Sequence, residues 1–392
     1  MAVVVPGFGA GVGPALIFLV TEDWYFWAHR LPQARAARDA GFSVAVATRV
    51  DRHADLIASE GFALHPLNWR RGSVNPMGAI AAILEVARLY RRQRPAIVHH
   101  VSQKSILIGS IAARLAGVRR VVNAFTGLGF LFAADTAKTR LIRSLLLPIL
   151  RGVTGGQGVR FLAENPDDAA TLERLGVGSG GRINLIRGSG VDLDLYDALP
   201  EPEGPVTIAC ATRMLRIKGV EEVVAAFRLL RARGSEARLL LAGAPDNENP
   251  AAILQSELRA WAAEPGIEWL GHVADVRQVW VRSHVAVLAS RGGEGIPMSL
   301  MEAAACGRPM VSTDVPGCRE IVRTGETGVL VPPDDVAALA NALERMVDDP
   351  ELRRSCGAKA RHRVENGLDS ATVGRETVRI YRELLALEPM AP

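Results

Sequence analysis

The sequence predicts an α/β protein made of two Rossmann-like, doubly wound domains that face a central cleft. Short apolar segments alternate with longer amphipathic ones through most of the 392 residues, which is typical of parallel strands joined by helices. This pattern runs twice, before and after a proline-rich segment. A chain of this length also exceeds what one core usually supports. Hydrophobic residues make up 48% of the chain, enough for two cores, and exclude a mainly disordered protein.

The strand candidates of the first half are short, apolar and separated by helical periodicity, as at 79–94 and 106–115. They are ALIFLV (15–20), SVAVAT (43–48), AIVHHV (96–101), RVVNAF (120–125) and RFLAEN (160–165). We expect a flexible tail before the first of them, because glycines and two prolines interrupt that segment. The segment also lacks the basic residues that begin a signal peptide, so we do not expect it to be one. No uninterrupted apolar run of about 20 residues predicts a membrane span.

A second series of strand candidates follows the proline-rich segment. They are VTIACAT (206–212), RLLLAG (238–243), IEWLGH (267–272), VAVLAS (285–290), PMVST (309–313) and GVLVPP (328–333). The segment ALPEPEGP, residues 198–205, has the composition of a linker, so the boundary is predicted near Pro200. This gives an N-terminal domain of residues 1–198, a C-terminal domain of residues 199–369 and a final helix within residues 370–392.

Composition restricts the compartment and the class of ligand. The four cysteines, at positions 210, 306, 318 and 356, stand far apart without a CxxC pair, which favours a reducing cytoplasm over a disulfide framework or a metal knot. The formal net charge of +4 and pI of about 9.1 are a mild basic excess. This excess is compatible with anionic lipid or phosphate ligands and does not argue for nucleic acid.

Two glutamates, Glu294 and Glu302, bracket the segment EGIPMSLME directly after a predicted strand. In open α/β sheets, ligands bind at the carboxyl ends of strands, and the amides at a helix start bind anions. Carboxylates beside such a start can hold hydroxyl groups while the amides hold phosphate, as a sugar nucleotide requires. Chance supplies about one such glutamate pair in a chain of this length, and the alanines 303–305 can simply reflect close helix packing. The interpretation therefore depends on neighbouring residues.

Arg213 and Lys218 lie in ATRMLRIKG, at the turn that follows another predicted strand. Two fixed cations at a strand end can neutralise a diphosphate, arginine as a planar fork and lysine as a point charge. That neutralisation is the electrostatic assistance needed by a departing diphosphate. The alternative is a solvated basic turn. Together with Glu294, the diphosphate interpretation is the better one.

Other candidates come from the first half. His99 and His100 end a predicted strand, with Lys104 just beyond, so His100 is a candidate base. A histidine whose hydrogen bonds are satisfied inside the fold is the alternative. His29 lies in the aromatic-rich turn TEDWYFWAHRLP, which either closes an acceptor site or only packs the interdomain face.

Several established motifs are missing from the sequence. It has no GxGxxG at a strand-to-helix turn, no GxxxxGK[ST], no HExxH and no GxSxG. It also has no Asp-x-Asp metal cradle at a strand end, so we expect neither a metal nor a cofactor. The basic segment 138–152, KTRLIRSLLLPILRG, predicts either a helix on an anionic membrane face or an ordinary helix that buries one apolar stripe.

Taken together, these motifs resemble the retaining glycosyltransferases of family 4, which have the GT-B fold. The resemblance covers nearly the whole chain and is most specific in ATRMLRIKG, RLLLAG, LGHVADV, SRGGEGIPMSLMEAAACGRPMVSTDVPGCREIV and TGETGVLVPPDD. It implies that Glu294 contacts the donor sugar, that Glu302 contacts the nucleotide ribose and that Arg213 with Lys218 holds the diphosphate. It further implies that backbone amides in the turn bind the donor; this turn comprises Gly295, Ile296, Pro297 and Met298.

The first half resembles the subgroup that acts on polyprenyl-diphosphate-linked sugars, through TEDWYFWAHRLP, VHHVSQKSILIGSIAARLAG, VVNAFTGLGFLF and IRGSGVDLDLY. His29, Lys104 and Gly127 are the acceptor-binding candidates. Many members carry a histidine where this chain reads FTG at 125–127, so a role of that histidine does not transfer. The resemblance also implies that the final helix crosses back onto the first domain.

These observations predict a cytoplasmic enzyme, peripheral on the membrane. It would move a hexose or N-acetylhexosamine, with retention, from a nucleotide-diphosphate sugar, UDP favoured, to a lipid-linked saccharide in surface polysaccharide or glycan assembly. Two alternatives stay open: a nucleotide-sugar epimerase of similar architecture, and an inactive nucleotide-sugar-binding scaffold subunit.

Overall fold

The computed structural model describes residues 13–69, 75–129, 137–246 and 248–387. The chain divides into two compact units. The first comprises Met1–Ser189 with Ser370–Pro392, and the second comprises Gly190–Asp369. The tail predicted ahead of the first strand lies almost entirely outside the described residues.

A sheet of seven parallel strands forms the centre of the described part of the first unit, in the order β3-β2-β1-β4-β5-β6-β7. The strands are β1 (Ala15–Glu22), β2 (Ser43–Arg49), β3 (Ala63–Pro66), β4 (Ile97–Val101), β5 (Val121–Phe125), β6 (Val159–Ala163) and β7 (Ile183–Leu185). The helices are α1 (Asp23–His29), α2 (Leu31–Asp39), α3 (Ala54–Ser59), α4 (Pro76–Gln93), α5 (Gln103–Ala116), α6 (Ala137–Val153), α7 (Pro166–Arg174) and, from the end of the chain, α15 (Ser370–Ala386).

Both faces of this sheet are covered by helices. Alternate residues of β1 point to opposite faces, so Leu16 and Phe18 pack with α1, α2, α3 and α15, whereas Ile17 and Leu19 pack with α4, α5, α6 and α7. The C-terminal helix α15 therefore belongs to the core of the first unit, where the hydroxyl of Tyr381 contacts Nδ1 of His99.

The second unit repeats the architecture with six parallel strands in its described part, in the order β10-β9-β8-β11-β12-β13. The strands are β8 (Thr207–Ala211), β9 (Arg238–Ala242), β10 (Ile267–Trp269), β11 (Val285–Leu288), β12 (Met310–Thr313) and β13 (Gly328–Val331). The helices are α8 (Val220–Ala232), α9 (Gln255–Ala262), α10 (Arg277–Val281), α11 (Met298–Ala305), α12 (Pro316–Arg319), α13 (Val336–Asp348) and α14 (Pro350–Glu365). Two parallel, doubly wound sheets confirm the predicted fold class.

The segment before the predicted boundary at Pro200 is attached to the second unit. Val191 forms a bridge with Asp369, and the buried guanidinium of Arg308 donates to the carbonyls of Leu199 and Pro200, at 3.2 and 2.8 Å. The division of the chain consequently falls between residues 189 and 190, about ten residues earlier than the linker composition predicts.

Two further local features differ from expectation. Residues Asp23–His29, read from the sequence as a turn, form helix α1, because Phe26 is buried against Phe18 and Phe62, with ring centroids 5.9 and 6.1 Å away. The strands β3 and β7 were not predicted. Over the described ranges, no helix combines the length and apolar character needed to cross a membrane.

Candidate functional site

The strand order of the second unit reverses between β8 and β11. Ligands of open α/β sheets bind at the carboxyl ends of the strands at such a reversal. The loop after β8 carries Arg213 and a short 3-10 turn, Arg216–Lys218; the loop after β11 carries Glu294. The two loops follow adjacent strands, so Arg213, Lys218 and Glu294 lie at the same edge of the sheet.

A glycine fixes the turn that presents Lys218. Gly219 follows with φ of 69°, a left-handed conformation that glycine adopts without steric cost. A Cβ at this position would lie 1.8 Å from the carbonyl oxygen of Ala289, just after β11. Only glycine therefore lets the turn pack directly on the end of the neighbouring strand.

Lys218 and Glu294 form an ion pair at this point. The Lys218 Nζ contacts Oε1 of Glu294, and the Ser290 hydroxyl donates to the same oxygen at 3.0 Å. The side chains of Lys218 and Glu294 are only 14% and 13% exposed. A largely buried pair retains few conformations, so it presents a cation and a carboxylate at defined positions at the carboxyl edge of the sheet.

The loop that carries Glu294 is held by backbone contacts. The Arg291 amide donates to the Ile217 carbonyl at 3.0 Å, and the Thr313 hydroxyl donates to the Ser290 carbonyl. A Cβ on Gly317, in α12, would lie 1.5 Å from the carbonyl oxygen of Gly295. The loop is thus packed between the turn after β8 and the start of α12.

Helix α11 begins immediately after this loop. Gly295, Ile296 and Pro297 are buried, Met298 is its first residue, and no side chain among the described residues caps its N-terminus. The amides of a first helical turn attract anions. The predicted donor-binding turn therefore lies beside the Lys218–Glu294 pair, as the motif requires.

Arg213 is more exposed than Lys218. Its Nη1 lies 2.9 Å from Oδ2 of Asp246, and 45% of the side chain is accessible. Asp246 follows β9 and was not predicted from the sequence. The pair orients the guanidinium at the carboxyl edge of the sheet while leaving much of it open to a ligand.

Glu302 is the fifth residue of α11, and the hydroxyl of Tyr196 donates to its Oε1 at 3.1 Å. Burial raises the pKa of the Glu302 carboxyl to about 7, and the hydrogen bond from Tyr196 opposes this rise. One nitrogen of Arg361 donates to the carbonyls of both Tyr196 and Ala305, the latter at 2.7 Å. This contact fixes the segment that carries Tyr196 to the end of α11. Tyr196 ends the IRGSGVDLDLY motif, but its contact with Glu302 was not predicted, because the two residues lie 106 positions apart.

The structure does not bring His100 to an accessible position. The residue is fully buried in β4, where its Nδ1 donates to Asn123 Oδ1 at 2.9 Å and its Nε2 accepts from the Tyr90 hydroxyl at 3.1 Å. Burial lowers the pKa of its imidazole to about 4, so the ring stays neutral. Both nitrogens are occupied inside the core, and we therefore leave His100 out of the proposed catalytic residues.

The acceptor-binding candidates lie near the carboxyl edge of the first sheet. Lys104 is half-buried in the first turn of α5; burial lowers its pKa, and the Glu22 carboxylate at the end of β1 opposes this. His29 ends α1, and its ring lies against that of Tyr25, with centroids 4.4 Å apart and a tilt of 40° between the ring planes. Gly127 is buried after β5, with φ of 94°.

A buried ion pair at the same edge was missed by sequence reasoning. Arg30 follows α1 and lies 2.9 Å from Glu164, which follows β6, and both side chains are at most 9% exposed. The available signal was an acid directly after a strand, the same signal that indicated Glu294. Among the described residues, no cluster of three or more His, Cys, Asp and Glu side chains could hold a metal ion.

The basic segment 138–152 forms most of helix α6. Arg140 and Arg151 are exposed, and Arg151 Nε donates to the Leu175 carbonyl at 2.7 Å. The side chain of Lys138 lies outside the described part.

Two protein-family models match this chain. The model described as glycosyl transferases group 1 matches residues 205–349, and the model described as glycosyl transferase 4-like matches residues 15–153. The first match includes all the residues of the donor-site candidate except Tyr196 and Arg361. The second spans the first unit from β1 to α6.

Full-length relatives are similar over most of both chains. A capsular polysaccharide biosynthesis glycosyltransferase from Staphylococcus aureus is 24% identical over 84% of this chain and 90% of its own. An N,N'-diacetylbacillosaminyl-diphospho-undecaprenol α-1,3-N-acetylgalactosaminyltransferase from Campylobacter jejuni is 23% identical over 84% and 89%. The glycosyltransferase EpsD of Bacillus subtilis, whose assignment is itself provisional, is 25% identical over 95% and 97%.

Solved structures share the fold. Sucrose-phosphate synthase from Thermosynechococcus elongatus superposes with a TM-score of 0.79 at 20% identity, over 95% of this chain and 99% of its own. Anabaena HepE in complex with UDP-glucose superposes with a TM-score of 0.75 at 16% identity, over 94% and 100%. These similarities confirm the predicted GT-B fold.

Proposed function

We propose that this chain, a glycosyltransferase with the GT-B fold, transfers a hexose or N-acetylhexosamine from a nucleotide-diphosphate sugar to a lipid-linked saccharide, with retention of configuration and without a metal ion. We further propose that it acts in polysaccharide biosynthesis. The relatives named for capsular polysaccharide and for an undecaprenol-linked acceptor support this class of reaction. The complex of Anabaena HepE with UDP-glucose supports a UDP-sugar as donor.

The observation that carries the proposal is the largely buried Lys218–Glu294 pair at the strand-order reversal, beside the start of α11. A diphosphate between Lys218 and Arg213 would have its charge neutralised, and the backbone N–H groups of Gly295, Ile296 and Met298 would face its oxygens, while Pro297 shapes the turn without donating. The Glu294 carboxylate would accept hydrogen bonds from hydroxyls of the transferred sugar. Glu302 would do the same for the ribose.

These residues assist departure of the diphosphate. In the proposed step, the bond between the anomeric carbon and the phosphate oxygen breaks, and its electron pair passes to the diphosphate. The acceptor hydroxyl attacks the anomeric carbon from the same face and gives its proton to the departing phosphate oxygen, so configuration is retained. Lys218 and Arg213 stabilise the negative charge that develops on the leaving group.

In the first unit, we propose that His29, Lys104 and Gly127 contribute to acceptor binding, since all three lie near the carboxyl edge of its sheet. The cation of Lys104 suits an acceptor that carries a phosphate. We also propose that residues 138–152 contact the cytoplasmic face of the membrane, where a lipid-linked acceptor is held.

The direct test is a transfer assay with a panel of labelled UDP- and GDP-sugars and a polyprenyl-diphosphate-linked saccharide. We expect one donor to give a glycosylated lipid with the donor's anomeric configuration, identified by NMR of the product. Formation of an epimeric nucleotide sugar without acceptor would instead support the epimerase. Tight nucleotide-sugar binding with no transfer from any donor would support the scaffold subunit.

Tyr196→Phe should change the pH dependence of donor binding. Removing the hydroxyl removes a hydrogen bond that favours the charged form of Glu302, so the pKa of this carboxyl should rise above its present value of about 7. Because the ionised carboxylate accepts the ribose hydroxyls, the donor Kd should begin to weaken at a higher pH than in the wild type. Isothermal titration calorimetry across pH 5.5–9, roughly two units on either side of neutrality, measures this shift.

Glu302→Gln is the matched control for Tyr196→Phe. Its side chain cannot titrate, so the pH-dependent step assigned to Glu302 should disappear. If Tyr196→Phe weakened donor binding by the same factor at every pH, the tyrosine would have only a packing role.

A further inference from the structure

One helical layer of the first unit is strongly basic, although the whole chain has a formal charge of only +4. The adjacent helices α4, α5 and α6 contain nine Lys and Arg residues and one Glu, a formal charge of +8. Helix α7, on the same face of the sheet, contains one Arg and three acidic residues, so the layer as a whole carries +6. The helices on the opposite face of the same sheet, α1, α2, α3 and α15, contain five Arg and five acidic residues, a formal charge of zero. The fold therefore separates charge across one sheet.

The same layer exposes apolar side chains. On α4, Met77, Ile80 and Leu84 are 73%, 53% and 42% exposed, and their spacing of three and four residues places them on one side of the helix. Arg88 continues this stripe one turn later and is also exposed. The buried side of α4, with Ala82, Val86 and Tyr90, packs on the sheet.

Neighbouring helices extend this surface. Leu115 of α5 and Ile149 of α6 are 50% and 48% exposed, and Arg140 of α6 is exposed as well. Helix α5 contacts both α4 and α6. We define the exposed side chains of α4, α5 and α6 as the basic face.

We infer that the basic face docks on an anionic lipid bilayer. Apolar side chains on an amphipathic helix enter the interfacial region of a bilayer, while arginines beside them bind anionic headgroups. The exposed arginines of these three helices supply the complementarity, and the formal charge of zero on the opposite face makes this attraction directional. They are Arg88, Arg91, Arg92, Arg114, Arg140 and Arg151. Helix α4 provides apolar contact through Met77, Ile80 and Leu84, so the docking surface extends well beyond residues 138–152.

Vesicle flotation tests this inference without any turnover. The purified full-length protein should float with vesicles of phosphatidylglycerol and phosphatidylcholine, and should stay unbound with phosphatidylcholine alone. The variant Arg88→Gln/Arg92→Gln removes two exposed cations of α4. It should lower the vesicle partition coefficient roughly 25-fold, since each cation near an anionic surface contributes about fivefold.

The matched control is Arg375→Gln/Arg382→Gln, which removes two exposed arginines from α15 on the opposite face. It changes net charge by the same amount and should leave flotation unchanged. Met77→Ser/Ile80→Ser should weaken flotation even at low salt, whereas Leu56→Ser, at an exposed position of α3, should not. Wild-type protein that fails to float with anionic vesicles, or equal losses in the α4 and α15 arginine variants, would overturn the inference.

An activity readout links docking to the proposed function, on which this second part rests. The Arg88→Gln/Arg92→Gln variant should transfer sugar more slowly to a polyprenyl acceptor in anionic vesicles, and at the wild-type rate to a short-chain, water-soluble acceptor. If the α4 and α15 arginine variants differ in flotation as expected, but the enzyme transfers sugar to neither acceptor, the docking surface is supported and the transferase is rejected. Equal losses on both acceptors would reject docking as the cause of the slower transfer.

Discussion

Replacing Lys218 by alanine is expected to lower kcat/KM for sugar transfer about 10²–10³-fold, the usual loss when one preorganised charge facing a developing anion is removed. Lys218 is only 14% exposed and is fixed by Glu294, so water replaces it poorly. Glu294→Ala should lower kcat/KM by a comparable factor, because the hydroxyls of the transferred sugar would lose their hydrogen-bond acceptor. Initial rates with the labelled donor measure both effects.

Both variants should remain folded, with the free energy of unfolding lowered by about 1–3 kcal/mol because one partner of a largely buried pair is left unmatched. The matched control is Arg228→Ala, which breaks an exposed ion pair with Glu264 on the outside of the same unit. Exposed pairs contribute about 0–1 kcal/mol, so this variant should transfer sugar at the wild-type rate. Near-normal turnover by Lys218→Ala would remove its proposed role.

Gly317→Ala is expected to reduce transfer about 100-fold although Gly317 contacts no substrate in this account. The new Cβ would lie 1.5 Å from the Gly295 carbonyl oxygen and 2.9 Å from that of Glu294. These are backbone atoms, so the loop must shift as a whole. A displacement of about 1 Å at a reacting centre typically costs about two orders of magnitude in rate, and overpacking lowers the free energy of unfolding by about 1–3 kcal/mol.

Kinetics and thermal unfolding of Gly317→Ala test this together. The control is Gly152→Ala in α6, where an added Cβ meets nothing within 4 Å; it should keep full activity and gain a few tenths of a kcal/mol from helix propensity. A Gly317→Ala enzyme with wild-type kcat/KM would show that the position of the Glu294 loop does not limit the reaction.

Much of the fold could be predicted because central strands of a parallel sheet are continuous apolar runs. The strands that were missed, β3 and β7, are the two edges of the first sheet. They read ALHP and INL, too short and too polar for a strand pattern. Helix α1 was missed for a different reason: Phe26 is buried by contacts with residues distant in sequence, and local pattern does not contain those contacts.

The donor-site candidates could be located from sequence because loops after neighbouring parallel strands meet at one sheet edge. What the motif could not provide was the second partner of each side chain, such as Tyr196 for Glu302 or Asp246 for Arg213. For His100, in contrast, the sequence pattern indicated an accessible residue where the structure has a buried one. Helices cover both faces of β4, so its position near a strand end gave no information about exposure.

A crystal of this protein grown with UDP or GDP, whichever binds more tightly, would reveal where the diphosphate lies. We expect a diphosphate held between the ammonium of Lys218 and the guanidinium of Arg213, next to the start of α11, with the ribose hydroxyls on Glu302. A diphosphate bound away from Lys218 and Arg213 at full occupancy would contradict this expectation.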